Sequence, residues 1–252
     1  MSSEHKVIIT GTGRAGTTFL VHLLTELGFD TGYAPGEVRG QIDRHSQAGL
    51  EYDLWEHRRE RTVGDWWRQP KHTIRDLLQG PAPAPYIIKG PALCETLGQL
   101  IARCGLTVDH IYIPIRDLEA AAMSRARVGG AHGSVPGGLW KTDNPLRQKA
   151  VLAEMFFNLV HTLTVHDLPH TFLLFPRLVE DWVYARKKLW FLVEAIEPAA
   201  FRTAFEKVAD RSLVHDFSAS TTRDFPRPIQ GEPPGQAWKL PEAPGLLRPR
   251  VV

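Results

Sequence analysis

The chain has 252 residues, 43% of them hydrophobic and 23% charged, with 30 Lys+Arg against 28 Asp+Glu for a net charge of +2. Those are globular proportions, which exclude a wholly disordered chain. The near-balance of charge excludes a protein that coats nucleic acid or membrane by charge alone. Two cysteines, Cys94 and Cys104, are too few for a disulfide framework or a four-ligand zinc site and read as reduced thiols. The sequence shows no leader-type apolar run and no stretch of about 18 apolar residues, so the expectation is a cytoplasmic protein without a membrane span.

The first element is the apolar run Val7-Ile8-Ile9-Thr10, a strand of the kind buried on both faces of a parallel sheet. A glycine-rich turn, Gly11 to Gly16, leads into a helix over Thr17–Leu27 whose apolar face is Phe19, Leu20, Leu23, Leu24 and Leu27. Gly28 stops it as a C-terminal cap. Residues 29–80 are polar, carry Trp55, Trp66 and Trp67, and read as a helical insertion. The stiff Pro81-Ala82-Pro83-Ala84-Pro85 segment delivers a second strand, Tyr86-Ile87-Ile88-Lys89, and a helix follows over 92–103.

A third strand is His110–Ile115, in which Pro114 predicts a bend or an early end. Asp117 caps the next helix, 118–127. Residues 128–144 are glycine-rich and read as a loop; Asp143-Asn144-Pro145 then starts a long helix to Val165. The fourth strand is Thr171–Phe175, followed by helices over 178–196 and 198–209. From Ser218 onward the chain is proline-rich and reads as a tail over 218–252. Strands alternating with helices predict an α/β three-layer sandwich around a central parallel sheet, a single domain over 1–217 of P-loop nucleotide-hydrolase type with the insertion after its first βα unit.

Gly11-Thr12-Gly13-Arg14-Ala15-Gly16-Thr17-Thr18 fits the dinucleotide pattern and also a P-loop with threonine at the lysine position. A dinucleotide site needs an acidic residue ending a second strand about 20 residues on; here Glu37 follows Thr31-Gly32-Tyr33-Ala34-Pro35-Gly36, which is no strand. Free N–H groups of Gly13, Ala15 and Gly16, the hydroxyls of Thr17 and Thr18, and the Arg14 guanidinium suit several anionic oxygens instead, so phosphate binding is favoured. Arg116 ends the third strand on the same crevice, and Ser124 follows eight residues later, two helical turns on. Together they form a candidate second phosphate site.

These residues resemble the sulfotransferase superfamily, in order, over about residues 1–200. In that family a loop like Arg14-Ala15-Gly16-Thr17-Thr18 holds the 5′-phosphosulfate of 3′-phosphoadenosine-5′-phosphosulfate (PAPS), and an arginine and serine like Arg116 and Ser124 hold its 3′-phosphate. The resemblance implies that Lys89, in Lys89-Gly90-Pro91, lies near the sulfonate, that Phe175 lies near the adenine, and that Glu37, in Gly36-Glu37-Val38-Arg39, is the base, with His132 the second candidate. Where cytosolic members carry a catalytic histidine two residues after the lysine, this chain has Pro91, and no clear Arg-Lys-Gly loop appears near the C-terminus.

The implied activity is sulfuryl transfer from PAPS to a hydroxyl or amine of a small-molecule acceptor, without metal, by a monomer or homodimer with no nucleic-acid partner. Positioning and cationic stabilisation by Arg14 and Lys89 would carry it. His22 reads as a packed or half-exposed helix histidine. The alternatives are a P-loop small-molecule kinase, against which Thr17 in the lysine position argues, and an inactive nucleotide-binding module whose insertion binds a partner.

Overall fold

The computed structural model describes residues 5–43, 46–51, 84–104, 106–128 and 137–214. Trp55, Trp66, Trp67, His132, most of the 29–80 segment, residues 129–136 of the 128–144 segment and the 218–252 tail lie outside them. Four strands, β1 (His5–Ile9), β2 (Ile87–Lys89), β3 (Thr107–Ile115) and β4 (His170–Leu174), form a parallel sheet in the order β2-β1-β3-β4. Helices α1 (Thr17–Glu26), α2 (Val38–Gln41), α3 (Leu93–Cys104), α4 (Leu118–Val128), α5 (Gln148–Val165), α6 (Arg177–Glu180), α7 (Trp182–Lys188), α8 (Trp190–Val193) and α9 (Pro198–Val208) cover it.

Alternation along the strands builds two cores. Ile8, Ile88, Ile111 and Ile113 point to one face and meet Leu93, Leu97 and Leu100 of α3, Ala121 of α4 and Leu152, Met155, Leu159 and Leu163 of α5. Val7, Ile9, Ile87, Tyr112 and Leu173 point to the other and meet Leu20, Leu23 and Leu24 of α1 with Leu178, Ala185, Leu189, Phe201 and Phe205 of α6–α9. This is the α/β sandwich expected from strands too apolar to face water on either side. Each leucine so buried contributes about 1.5–3 kcal/mol.

Three elements differ from the sequence reading. β3 runs through Pro114 to Ile115 without ending early, with Pro114 in register with Leu173. Ile111 donates to Pro169 O and Phe175 donates to Ile115 O, so odd-numbered residues of β3 face β4; Thr10 donates to Tyr112 O, so even-numbered ones face β1. Pro114 therefore turns its missing N–H toward β1, which has already ended at Ile9, and no ladder bond is lost. The helix expected over 178–196 is broken into α6, α7 and α8. Asp181, extended at φ −125, accepts from Tyr184 N and restarts the helix as its cap, and Leu189 departs from helical geometry at ψ 8. The part of 29–51 that is described holds only the single turn α2 among turns and loops.

Other boundaries follow local chemistry. Asp117 Oδ1 accepts from Ala120 N at 2.8 Å and caps α4. Asn144 caps a 3-10 turn, Pro145–Arg147, that feeds α5. Gly28, at φ +86, ends α1 in the left-handed conformation glycine tolerates. β1 and β3 are direct neighbours, so the loop after each emerges side by side at the carboxyl edge of the sheet, where α/β proteins bind ligands.

Candidate functional site

The glycine loop is built from left-handed residues: φ is +73 at Gly13, +58 at Arg14 and +89 at Gly16. Space also demands glycine. A Cβ on Gly13 would stand 2.6 Å from Nη2 of Arg125, and one on Gly16 would stand 3.0 Å from the Phe175 ring. Arg14 has no such excuse, and a side chain in this region costs about 1 kcal/mol or more. It is held there from three sides. Its Nε donates to Ser124 Oγ at 3.0 Å, its Nη1 donates to the carbonyl of Ser46, and its own carbonyl accepts from Arg116 Nη1 at 3.3 Å. Gly16 caps α1 without a side chain, which leaves the first-turn N–H groups of a helix directed outward as an anion-binding end.

Lys89 ends β2 beside this loop. Gly90 N donates to Ile9 O at 3.0 Å and Thr10 Oγ1 donates to Gly90 O at 2.8 Å, which ties the ends of the two strands together. The lysine is 2% exposed. Its Nζ donates to Thr18 Oγ1 at 3.0 Å, to the Gly49 carbonyl and to Glu51 Oε1 at 2.7 Å. Burial pulls its pKa below the usual lysine value; Glu51 opposes that and Arg14 adds to it.

Arg116 lies with its guanidinium carbon 5.0 Å from the centre of the Phe175 ring. Arg125, one residue after Ser124, is 3% exposed. It donates through Nη2 to Thr12 O and through Nη1 to Gly138 O, both at 2.7 Å, and its Nε has no partner among the described residues. Burial first, and Arg14 second, depress its pKa to about 10.

These groups wall one cavity of about 450 Å³. Its lining includes Gly13, Arg14, Gly16, Thr17, Thr18, Lys89, Arg116, Arg125 and Phe175, together with Phe19, His22, Ile42, Val208, Asp210, Leu213 and Val214. It carries four cationic side chains against the carboxylates of Glu51 and Asp210. Its chemistry fits a ligand with more than one anionic group.

Eight of the residues singled out in the sequence therefore meet on one wall: Gly13, Arg14, Gly16, Thr17, Thr18, Lys89, Arg116 and Phe175. Ala15 is fully buried behind the loop. Ser124, 2% exposed, is engaged by Arg14 and is not on the wall. Glu37 is exposed at the start of α2 and does not line the cavity. The carboxylate that reaches Lys89 is Glu51, 38 residues earlier in the chain, and no spacing rule points to it. Arg125 hides beside Ser124 in an ordinary helix. His22 was legible: it stands four residues after Thr18 and so on the same helical face. It is 7% exposed, the packed rather than the half-exposed of the two readings its helix offered, and it also lines the cavity.

No protein-family model matches the chain, and no curated protein matches it. Among solved structures it is similar to the sulfotransferase domain from the Synechococcus PCC 7002 olefin synthase, at 14% identity and a TM-score of 0.40, over 86% of this chain and 82% of that one. None of the described helices is long and apolar enough to cross a membrane.

Proposed function

We propose that the chain is a sulfotransferase that moves a sulfuryl group from PAPS to a hydroxyl or amine of a small molecule. The observation that carries this reading is the joining of the two anion motifs: Arg116, at the end of β3, donates to the backbone of Arg14 in the glycine loop and stacks on Phe175. One cradle for the 5′-phosphosulfate and one for the 3′-phosphate thus lie against each other with an aromatic face beside them, as a nucleoside with phosphates at both ends requires.

In this reading the loop N–H groups with Thr17 and Thr18 hold the 5′-phosphate. Arg14 and Lys89 stabilise charge on the sulfonate and on the bridging oxygen as the oxygen–sulfur bond breaks, a term worth about 2.7–4 kcal/mol for one well-aimed donor. Arg116 serves the 3′-phosphate. Ser124 steadies Arg14 and so serves the 5′ cradle, and Phe175 faces the adenine. An arriving sulfonate competes with Glu51 for the Lys89 ammonium, and Glu51, 38% exposed, can hydrate when displaced. An anion beside Nζ also favours the protonated lysine that burial alone disfavours. Arg125 braces the loop from below. Glu37 stands away from the cavity, so the acceptor's proton falls to a group on the wall.

Calorimetric titration with adenosine 3′,5′-bisphosphate and with 5′-AMP tests this reading. The bisphosphate should bind the wild type more tightly, and Arg116→Ala should weaken it by about 10-fold or more, one charge-assisted contact, while 5′-AMP binding changes little. Equal losses for both ligands, or magnesium-dependent ATP turnover in place of bisphosphate binding, would overturn it.

A further inference from the structure

We infer that the part of the cavity beside His22 is the acceptor subsite, that it takes an uncharged apolar alcohol or phenol, and that His22 receives the proton of its hydroxyl. The inference rests on the sulfuryl-transfer reading and specifies its second substrate. His22 lies one turn, about 6 Å, along α1 from Thr18, whose hydroxyl accepts from Lys89. The same cavity is lined by Phe19, Ile42, Val208, Leu213 and Val214. The charged side chain next to them in the chain, Asp210, is already bonded to Ser212, so a sugar would lose water there for few new hydrogen bonds.

His22 is set up as a base. Its Nε2 stands 3.8 Å from Glu26 Oε1, and both side chains are under 10% exposed. Glu26 Oε2 in turn accepts from Lys207 Nζ of α9. Glu26 stands beyond hydrogen-bond distance and acts on the ring through its charge, as an acidic neighbour of a base. The charged groups acting on the ring are Glu26 on its own helix, Lys207 on α9 and Arg39 on α2. Burial outweighs Glu26, so the imidazole titrates below the ordinary histidine value.

The other carboxylates on the wall are poorer bases. Glu51 is held by Lys89 at 2.7 Å. Asp210 accepts from both the hydroxyl and the N–H of Ser212, which keeps it below the usual carboxylate range.

In the step itself the acceptor oxygen forms a bond to sulfur as the bond from sulfur to the bridging oxygen breaks. The electron pair stays on that oxygen, which leaves as the 5′-phosphate of adenosine 3′,5′-bisphosphate. The hydroxyl proton passes to the His22 imidazole and then to water.

The test uses PAPS with 2-naphthol, 1-decanol, trehalose and glucosamine as acceptors, and the variants His22→Gln and His22→Ala. Transfer to the naphthol or decanol should exceed transfer to the sugars. His22→Gln should lower kcat by about 100-fold or more with bisphosphate affinity unchanged. The wild-type pH–rate profile should fall at acid pH with an apparent pKa below the ordinary histidine value, and His22→Gln should lose that limb. Added imidazole should restore part of the His22→Ala rate. A residue that merely tied α1 to α9 would shift the unfolding midpoint and leave the acid limb in place. Retention of the limb in His22→Gln overturns the base assignment. Preference for the sugars, or bisphosphate binding with no transfer to either apolar alcohol, overturns the subsite. Loss of bisphosphate binding by the wild type would instead sink the sulfuryl-transfer reading beneath it.

Discussion

Two lysines on neighbouring strands are almost equally buried, Lys6 at 3% and Lys89 at 2% exposed, and burial lowers the pKa of both. Their surroundings separate them. Lys6 sits at the amino end of β1, and its Nζ donates to a single backbone carbonyl, Ala84 O, at 3.0 Å. Lys89 sits at the carboxyl end of β2 and donates to a hydroxyl, a carbonyl and a carboxylate on the wall of a cavity. A buried ammonium costs several kcal/mol unless well partnered. At the amino edge that cost fastens one strand to the segment before the next. At the carboxyl edge it places a positive charge where an anionic ligand can reach it. Depth of burial alone does not separate the two lysines; the end of the sheet each occupies does.

The largest effect should come from breaking this contrast at Lys89. Lys89→Ala should reduce turnover with PAPS by about 100- to 1,000-fold, the loss typical of one donor aimed at developing negative charge. Lys6→Met should leave turnover unchanged. Steady-state rates of the two purified variants decide the matter, and comparable losses in both would erase the distinction between the two edges. Glu37→Gln belongs in the same assay as a control: a carboxylate exposed off the wall should be replaceable without loss of rate.

Next in size is the loop that faces Lys89. Gly13→Ala must put a Cβ 2.6 Å from Arg125 Nη2 at φ +73. The left-handed backbone costs about 1–2 kcal/mol and a displaced Arg125–Thr12 hydrogen bond about 1 more. The expected loss is therefore about 2–3 kcal/mol of stability, read from urea denaturation, together with weaker bisphosphate binding. A wild-type midpoint would mean that Arg125 does not brace the loop.

Much of this was written in the sequence. The strands and α1 could be read because their apolar runs and 3.6-residue stripe are local properties, and the glycines at 13 and 16 because only glycine meets their φ and their neighbours. Glu51 and Arg125 could not be read. Their roles depend on contacts with Lys89 38 residues away and Thr12 113 residues away, which no periodicity encodes. Ser124 shows the mixed case. Its spacing from Arg116 marked it as a ligand for phosphate, yet its hydroxyl accepts from Arg14. Ser124→Ala should therefore act through Arg14, lowering stability by about 1 kcal/mol and bisphosphate affinity about fivefold. Calorimetry of that variant should show the bisphosphate losing affinity while 5′-AMP also weakens, as follows from the proposed place of Arg14 in the 5′-phosphate cradle. A loss confined to the bisphosphate would return Ser124 to the 3′-phosphate.

The smallest effect concerns pH and isolates Lys6. Its folded-state pKa lies below the ordinary 10.5, with burial the larger cause and Asp30 opposing it. Below that depressed value the full desolvation cost of the ammonium weighs on the folded state. As the pH rises through it, the folded protein sheds the proton before the unfolded chain does, so the unfolded chain binds more protons and stability rises. Lys89 adds a change of the same sign, because its pKa is lowered for the same leading reason. Urea midpoints of the wild type should therefore gain on those of Lys6→Met as the pH is raised toward 10.5, while Lys6→Met keeps the rise due to Lys89. Parallel curves for the two proteins would mean that Lys6 is solvated well enough to titrate as in water, and the amino edge of the sheet would then lose its role as the dry counterpart of the cavity.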